Sequence, residues 1–148
     1  MTPLVRPMEQ KDTAAVALLE AQVFSQPWSA DGLEASRKRP EYLFLVACDE
    51  EQIIGYIGMY QVMEEGDITN VAVRPDCQGQ GVGSLLVEAL FHAAARRGIR
   101  EITLEVRAGN VHAIRLYEKH GFCREGRRKN YYEKPREDAL IMWNRNIQ

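Results

Sequence analysis

Long apolar runs are missing from this sequence. None of the 148 residues falls in a stretch approaching the ~20 apolar residues a membrane-crossing helix needs. The opening segment carries Arg6, Glu9, Lys11 and Asp12, so it lacks the apolar core of an export signal, and a cytoplasmic protein is expected. Cysteine is scarce. Cys48, Cys77 and Cys123 are odd in number and widely spaced, with no C-x-x-C pair. That suggests neither a disulfide framework nor a cysteine-built zinc site, and it predicts free thiols in a reducing compartment. His92, His112 and His120 show no metal-ligand spacing, so no metal is expected. A strong charge of one sign is also absent. The net charge of -2 argues against a general nucleic-acid binder, and neither a nucleic-acid nor a membrane partner is expected. Repeats, low-complexity tracts and long linkers are missing too. The chain therefore reads as one domain over residues 1–148, large enough to bury a core without a staple.

The chain that remains alternates strand and helix patterns. Leu4 to Arg6 predicts a short strand, and Lys11 to Phe24 a helix, with Val16, Leu19 and Val23 at helical spacing and Asp12 or Thr13 as cap. Ser29 caps a second short helix, and Pro40 ends that segment. Tyr42–Cys48, Gln52–Met63 and Ile68–Val73 are three strands joined by short turns, which suggests an antiparallel meander. Gly55 and Gly58 inside the second of these mark a bulge or a close backbone approach.

Val82, Leu85, Leu86, Ala89, Leu90 and Ala93 form one apolar stripe on a helix that Gly98 closes. Ile102, Leu104 and Val106 alternate with polar residues on the next strand. That strand–helix–strand unit joins parallel strands. Asn110 caps a last helix to His120, and Phe122–Glu125 and Ala139–Trp143 give two final strands. The basic-aromatic run Arg127, Arg128, Lys129, Tyr131 and Tyr132 is expected to be a loop lining a peptide groove. Glu64, Glu65 and Asp67 read as a solvated turn, with attraction of a basic peptide as the functional alternative. The order is β-α-α-β-β-β-α-β-α-β-β, an α/β domain with a mixed central sheet.

Between the third meander strand and the apolar helix lies Gln78-Gly79-Gln80-Gly81-Val82-Gly83. Glycines let backbone approach a ligand, and the free amides at a helix start attract an anion. A pyrophosphate suits that place. A nucleoside triphosphate loop would need a Gly-Lys pair, which does not occur. A dinucleotide fingerprint would need a different glycine spacing near a first parallel strand.

The spacing Q-x-x-G-x-G after Asn70-Val71-Ala72-Val73 resembles the coenzyme A pyrophosphate loop of the GNAT acetyltransferase superfamily. Asn110 to Phe122, with Ala113, Leu116, Tyr117 and Gly121-Phe122, is similar to that family's second recurring stretch, and the element order resembles its fold over the whole chain. Three further stretches, F-S-Q-P-W-S from Phe24, L-E-V-R from Leu104 and R-K-N-Y-Y through R-E-D-A-L-I-M from Arg128, resemble a bacterial subgroup. That subgroup acetylates the α-amine of an N-terminal alanine on a small-subunit ribosomal protein.

The resemblance implies acetyl-coenzyme A as acetyl donor and a protein N-terminus, that of a ribosomal protein, as partner. It implies that the backbone of Val71, Ala72 and Val73 holds the pantetheine arm. Gln78, Gly79, Gln80, Gly81, Val82, Gly83 and Ser84 would hold the pyrophosphate, and Asn110 would touch the cofactor. Glu105 matches the family's base and Tyr117 its acid. An α-amine titrates near about 7.7–8.0 against about 10.4 for lysine, so a modest base suffices for a chain terminus. The sequence departs from the family in two places. The glycine loop holds no Arg or Lys, leaving Arg74 as the nearest cation, and Cys77 stands where an aromatic residue is common. Two other readings stay open at this stage: acetylation of a small amine such as a polyamine, amino acid or antibiotic, and a coenzyme A-binding module without catalysis.

Overall fold

The computed structural model describes residues 2–147. Strand β1 (Leu4–Pro7) leads into helices α1 (Thr13–Val23) and α2 (Ala30–Arg37). Strands β2 (Tyr42–Asp49), β3 (Gln52–Val62) and β4 (Glu65–Val73) follow, then α3 (Val82–Arg96), β5 (Glu101–Arg107), α4 (Val111–Lys119), β6 (Cys123–Glu133) and β7 (Arg136–Asn144). The element order is the one expected from the sequence pattern. Among the described residues one seven-stranded sheet runs β1-β2-β3-β4-β5-β7-β6, and only β4 and β5 are parallel neighbours. The meander β2-β3-β4 is antiparallel.

The sheet is covered on both faces. Val82, Leu86, Leu90 and Ala94 of α3, with Ile114 and Tyr117 of α4, pack on Ile57, Ile102, Leu104 and Met142. Leu86 and Leu90 are fully buried, and each contributes about 2 kcal/mol by leaving water. On the opposite face Val16 and Leu19 of α1 and Leu33 of α2 pack on Phe44, Val46, Tyr56 and Ala72. Ser29 Oγ accepts from Gly32 N at 3.1 Å and caps α2 as expected. Asp12 does not cap α1. Its carboxylate is drawn instead to Arg6, which donates to it at 2.7 and 2.9 Å, and to the Glu9 amide at 2.8 Å.

Two expected boundaries move. β4 begins at Glu65 rather than Ile68, so Asp67 belongs to a strand and not to a turn. The basic-aromatic run is likewise strand, not loop. Its residues lie on β6, which pairs with β7 along the rim of the sheet. An exposed rim strand has no buried face to impose alternation, and its cations are a common defence against edge pairing.

The feature that shapes the site is a break between β4 and β5. They pair from Glu65↔Glu101 to Ile68↔Leu104 and no further. On the β3 side, Gly58 pairs with Asn70 and Met59 with Ile68, so Thr69 is an extra residue that bends β4. A Cβ on Gly58 would lie 2.7 Å from the Phe44 ring and 2.9 Å from Thr69 Oγ1, so this bulge demands glycine opposite it. Past the bulge, Asn70–Val73 follow β3 while Glu105–Arg107 follow β7. A wedge opens between two strands that began as neighbours.

Candidate active site

The wedge is the floor of a cavity of about 490 Å³. Thr69, Asn70 and Val71 of β4 line one side, and Glu105 and Arg107 of β5 the other. Asn110 and Tyr117 of α4 line it too, with Phe24 and Trp28 of the α1–α2 connection and Tyr132 of β6. The mouth is bridged. Ser25 Oγ donates to Lys134 O at 2.5 Å, joining the α1–α2 connection to the β6–β7 turn. Arg107 Nη1 donates to Pro135 O at 2.8 Å and its guanidinium lies 4.3 Å over the Tyr132 ring, which fixes that turn from below. A larger groove, about 730 Å³, lies between α1 and the β2–β3 turn, lined by Arg6, Asp12 and Glu50 among others. It shares no lining residue with the cavity at the strand break and contains none of the expected catalytic residues.

Glu105 and Tyr117 line the same cavity, although they are far apart in sequence and on different elements. The Glu105 side chain points away from buried Ile102, Leu104 and Val106, as the alternation predicts, and is 25% exposed. Its Oε2 atom is enclosed and accepts no well-directed hydrogen bond, while Arg128 Nε stands 3.1 Å away as counter-ion. That pairing answers the cost of withdrawing a carboxylate from water. Tyr117 is buried, and burial, reinforced by Tyr132, holds its phenol well above the ordinary tyrosine range. Burial also pushes Tyr132 up to about 12.

Asp67 is exposed, as the reading of a solvated turn expects, but it lies on β4. It sits one strand from Glu105 and close to it, and its carboxyl is pushed up to about 6. Withdrawal from water is the main cause and repulsion by Glu105 the second, with Arg128 opposing both. A raised carboxyl favours folding at low pH, and that contribution is lost as pH rises through about 6.

The glycine loop lies at the open end of the wedge. Gly79 and Gly81 have φ of +78° and +84°, a region that L side chains rarely enter, and a Cβ at either would meet nothing within 4 Å. Gly81 starts α3 and no side chain caps that helix, so the first-turn amides of Val82, Gly83 and Ser84 stand open to a ligand. Gly83 has a packing role as well, because a Cβ there would lie 3.0 Å from Leu116 Cδ2 of α4. Gln78 Nε2 donates to Val73 O at 3.1 Å, and Gln80 Nε2 to Asp76 O at 3.4 Å, so both side chains brace the loop. Val71, Ala72 and Val73 have no strand partner on the β5 side. Asn110 Oδ1 caps α4 by accepting from Ala113 N at 3.1 Å.

A cation approaches the loop from outside it. Arg74 is engaged with Asp76 at 2.6 Å and Gln52 at 3.2 Å. Lys119, at the end of α4, brings Nζ to 3.5 Å from Ser84 Oγ in the first turn of α3. Nothing in the local sequence marks Lys119, because the packing of α3 on α4 sets this approach.

A strand break ending at an uncapped, glycine-opened helix suits an extended, pyrophosphate-bearing ligand. Comparison with known proteins agrees. Residues 13–122 match the profile of the acetyltransferase (GNAT) family.

The chain belongs to the GNAT acetyltransferase family.

The Escherichia coli K12 [ribosomal protein bS18]-alanine N-acetyltransferase is 36% identical over 137 residues, 91% of this chain and 92% of that one. The crystal structure of the ribosomal-protein-S18-alanine N-acetyltransferase from Escherichia coli superposes with a TM-score of 0.90 at 33% identity, covering 99% of this chain and 95% of that one. Ard1 from Thermoplasma volcanium gives a TM-score of 0.90 at 27% identity over the whole of both chains. This GNAT chain is therefore an N-acetyltransferase that takes its acetyl group from acetyl-coenzyme A. The open β4 edge and the uncapped start of α3 fit that donor's arm and pyrophosphate. Among the described residues no cluster of His, Cys, Asp or Glu could hold a metal ion, and no helix is long and apolar enough to cross a membrane.

Proposed function

We propose that this GNAT enzyme acetylates the α-amine of a protein N-terminus, the terminal alanine of a small-subunit ribosomal protein, in the cytoplasm. The names and coverage of its relatives support the acceptor. The observation that carries the chemistry is the enclosed Glu105 Oε2, an acceptor without a directed donor, in the same cavity as Tyr117.

Acetyl-coenzyme A supplies an activated thioester carbonyl beside the wedge. The backbone of Val71, Ala72 and Val73 holds the arm along the free β4 edge. The amides around Gly79, Gly81, Val82, Gly83 and Ser84, braced by Gln78 and Gln80 and assisted by Lys119, hold the pyrophosphate. Asn110 flanks the arm. Glu105 takes a proton from the acceptor's α-ammonium, directly or through one water. The freed amine nitrogen bonds to the carbonyl carbon, the carbon–sulfur bond breaks, and Tyr117 delivers a proton to the departing sulfur. The bonded nitrogen gives up a second proton as the amide forms, which restores Tyr117 through solvent, and Glu105 returns the proton it took to solvent, so one proton is released per turnover. Asp67 adds a second negative charge where a cationic terminus arrives.

Mass spectrometry of two peptides tests the acceptor. One begins with a free alanine and contains an internal lysine, and the other is identical but blocked at its terminus. Acetylation of the free-alanine peptide alone, at its α-amine, is the expected result. Modification of the lysine in both, or of neither peptide while a polyamine is acetylated, contradicts it.

The charge on Asp67 gives a pH signature. Its carboxylate is present above about 6 and lost below. The peptide KM of the wild type is expected to rise as pH falls through that value, and the KM of Asp67→Asn to stay flat there. Steady-state kinetics between pH 5 and 8 measures both, and parallel curves contradict the assignment.

A further inference from the structure

Glu20 is a carboxylate with no exposure to solvent, in the last turn of α1, and the acetyl-transfer steps above do not use it. Three donors converge on it. Oε1 accepts from the backbone N–H of Trp28 at 2.9 Å. Oε2 accepts from Tyr56 Oη at 2.5 Å and from Asn70 Nδ2 at 3.1 Å. Burial raises the Glu20 carboxyl above its ordinary range, and these three hydrogen bonds oppose that rise. A fully buried carboxylate is costly, and a leucine would suit the surrounding cluster of Val16, Leu19, Phe44 and Val46 better on burial alone.

What Glu20 joins explains its presence. Trp28 belongs to the F-S-Q-P-W-S stretch, which has no helix or strand of its own between Phe24 and Ser29 to hold it. Asn70 is the first residue beyond the Thr69 bulge, where β4 turns away from β5. Both line the cavity, Trp28 on its wall and Asn70 on its floor. Tyr56 anchors the carboxylate to β3 beneath them. Glu20 therefore ties wall to floor through one side chain, beside the ring contacts of Trp28 with Tyr42 and Phe44.

We propose that Glu20 is a positioning residue that fixes the width of the acceptor pocket and so selects a small first residue on the incoming chain. This rests on the reading of the acceptor as a peptide N-terminus. With Glu20 in place, the Trp28 segment cannot retreat from β4, and the space beside the α-amine stays small. Without it, the Trp28 amide and Asn70 lose their common acceptor, the wall is released, and larger first residues enter.

Glu20→Met fills the volume but accepts no hydrogen bond of comparable strength. Its peptide KM is expected to rise about tenfold, as for the loss of a hydrogen-bonded charged group. The ratio of kcat/KM for alanine-leading over leucine-leading peptides should fall by a similar factor, and the acetyl-coenzyme A KM should change far less. Glu20→Gln is expected to recover most of the selectivity. A glutamine can still accept from the Trp28 amide if Asn70 turns its amide over and Tyr56 accepts. A purely structural role would lower all activities together and leave the ratio alone. Asn70→Ala cuts the link on the floor side without removing the buried carboxylate, and its ratio should also fall if Glu20→Met does not fold. An unchanged ratio in folded Glu20→Met, or in Asn70→Ala if that variant must serve instead, overturns the proposal. A wild type that acetylates no peptide would instead overturn the acceptor reading, so the wild-type ratio is measured first.

Discussion

Glu105→Gln is expected to lower kcat by about 10²–10⁴-fold, the usual contribution of a positioned base, with acetyl-coenzyme A affinity close to wild type. The separation follows from geometry. Glu105 lies on β5, whereas the contacts proposed for the donor are the β4 edge and the start of α3. Glutamine keeps the length and a carbonyl acceptor but cannot take up a proton. It also removes the negative charge opposite Arg128 Nε, 3.1 Å away, so Arg128 is left beside a neutral amide at a rim where its side chain is 57% exposed. Water can solvate it there, and the fold should survive. Rapid-mixing kinetics with saturating acetyl-coenzyme A, together with calorimetric titration of coenzyme A, would measure the two halves. A Glu105→Gln enzyme that turns over at the wild-type rate would remove this residue from the chemistry and direct attention to Asp67.

Tyr117→Phe should reduce kcat by about 10²-fold, again with little effect on donor affinity. The phenylalanine ring keeps the contact with Phe122, whose ring centroid is 5.8 Å away, so the change is confined to one hydroxyl. Burial holds the Tyr117 phenol above its ordinary range, so it stays protonated throughout any practical assay. At first sight that makes it a poor donor to a thiolate whose parent thiol titrates near about 8.5. The leaving sulfur, however, develops its charge beside the same buried phenol, where a less solvated thiolate is also a stronger base. If Tyr117→Phe instead weakened donor binding with kcat intact, its hydroxyl would be a ligand contact and not an acid.

Much of this was legible in the sequence because local pattern and fold agree. The stripe of Val82, Leu86 and Leu90, the alternation of Ile102, Leu104 and Val106, and the caps Ser29 and Asn110 each predict their element, and all are found. The alternation also gave the side of β5 from which Glu105 projects. What stayed hidden depends on partners far away in the chain. The wedge needs the Thr69 bulge, which is a statement about the register of β4 on β3 and leaves no mark in β4 itself. Gly58 hinted at it, as a glycine inside a strand, without saying which neighbour it accommodates. Lys119 reaches Ser84 only because two helices pack side by side. Arg127 to Tyr132 looked like a loop because a rim strand carries no buried face. Glu20 ended an otherwise apolar helix face and gave no sign of burial, since its three donors come from Trp28, Tyr56 and Asn70.

The most direct test of the account is a crystal structure with a bisubstrate ligand, coenzyme A joined through an acetyl bridge to the α-nitrogen of an alanine-leading peptide. The account predicts the pantetheine arm along Val71–Val73 and the pyrophosphate on the amides between Gly79 and Ser84. It places the alanine nitrogen within hydrogen-bond reach of Glu105, directly or through one water, and the sulfur beside Tyr117. A ligand seated in the groove between α1 and the β2–β3 turn, or one in the wedge with its alanine nitrogen turned away from Glu105, would contradict it.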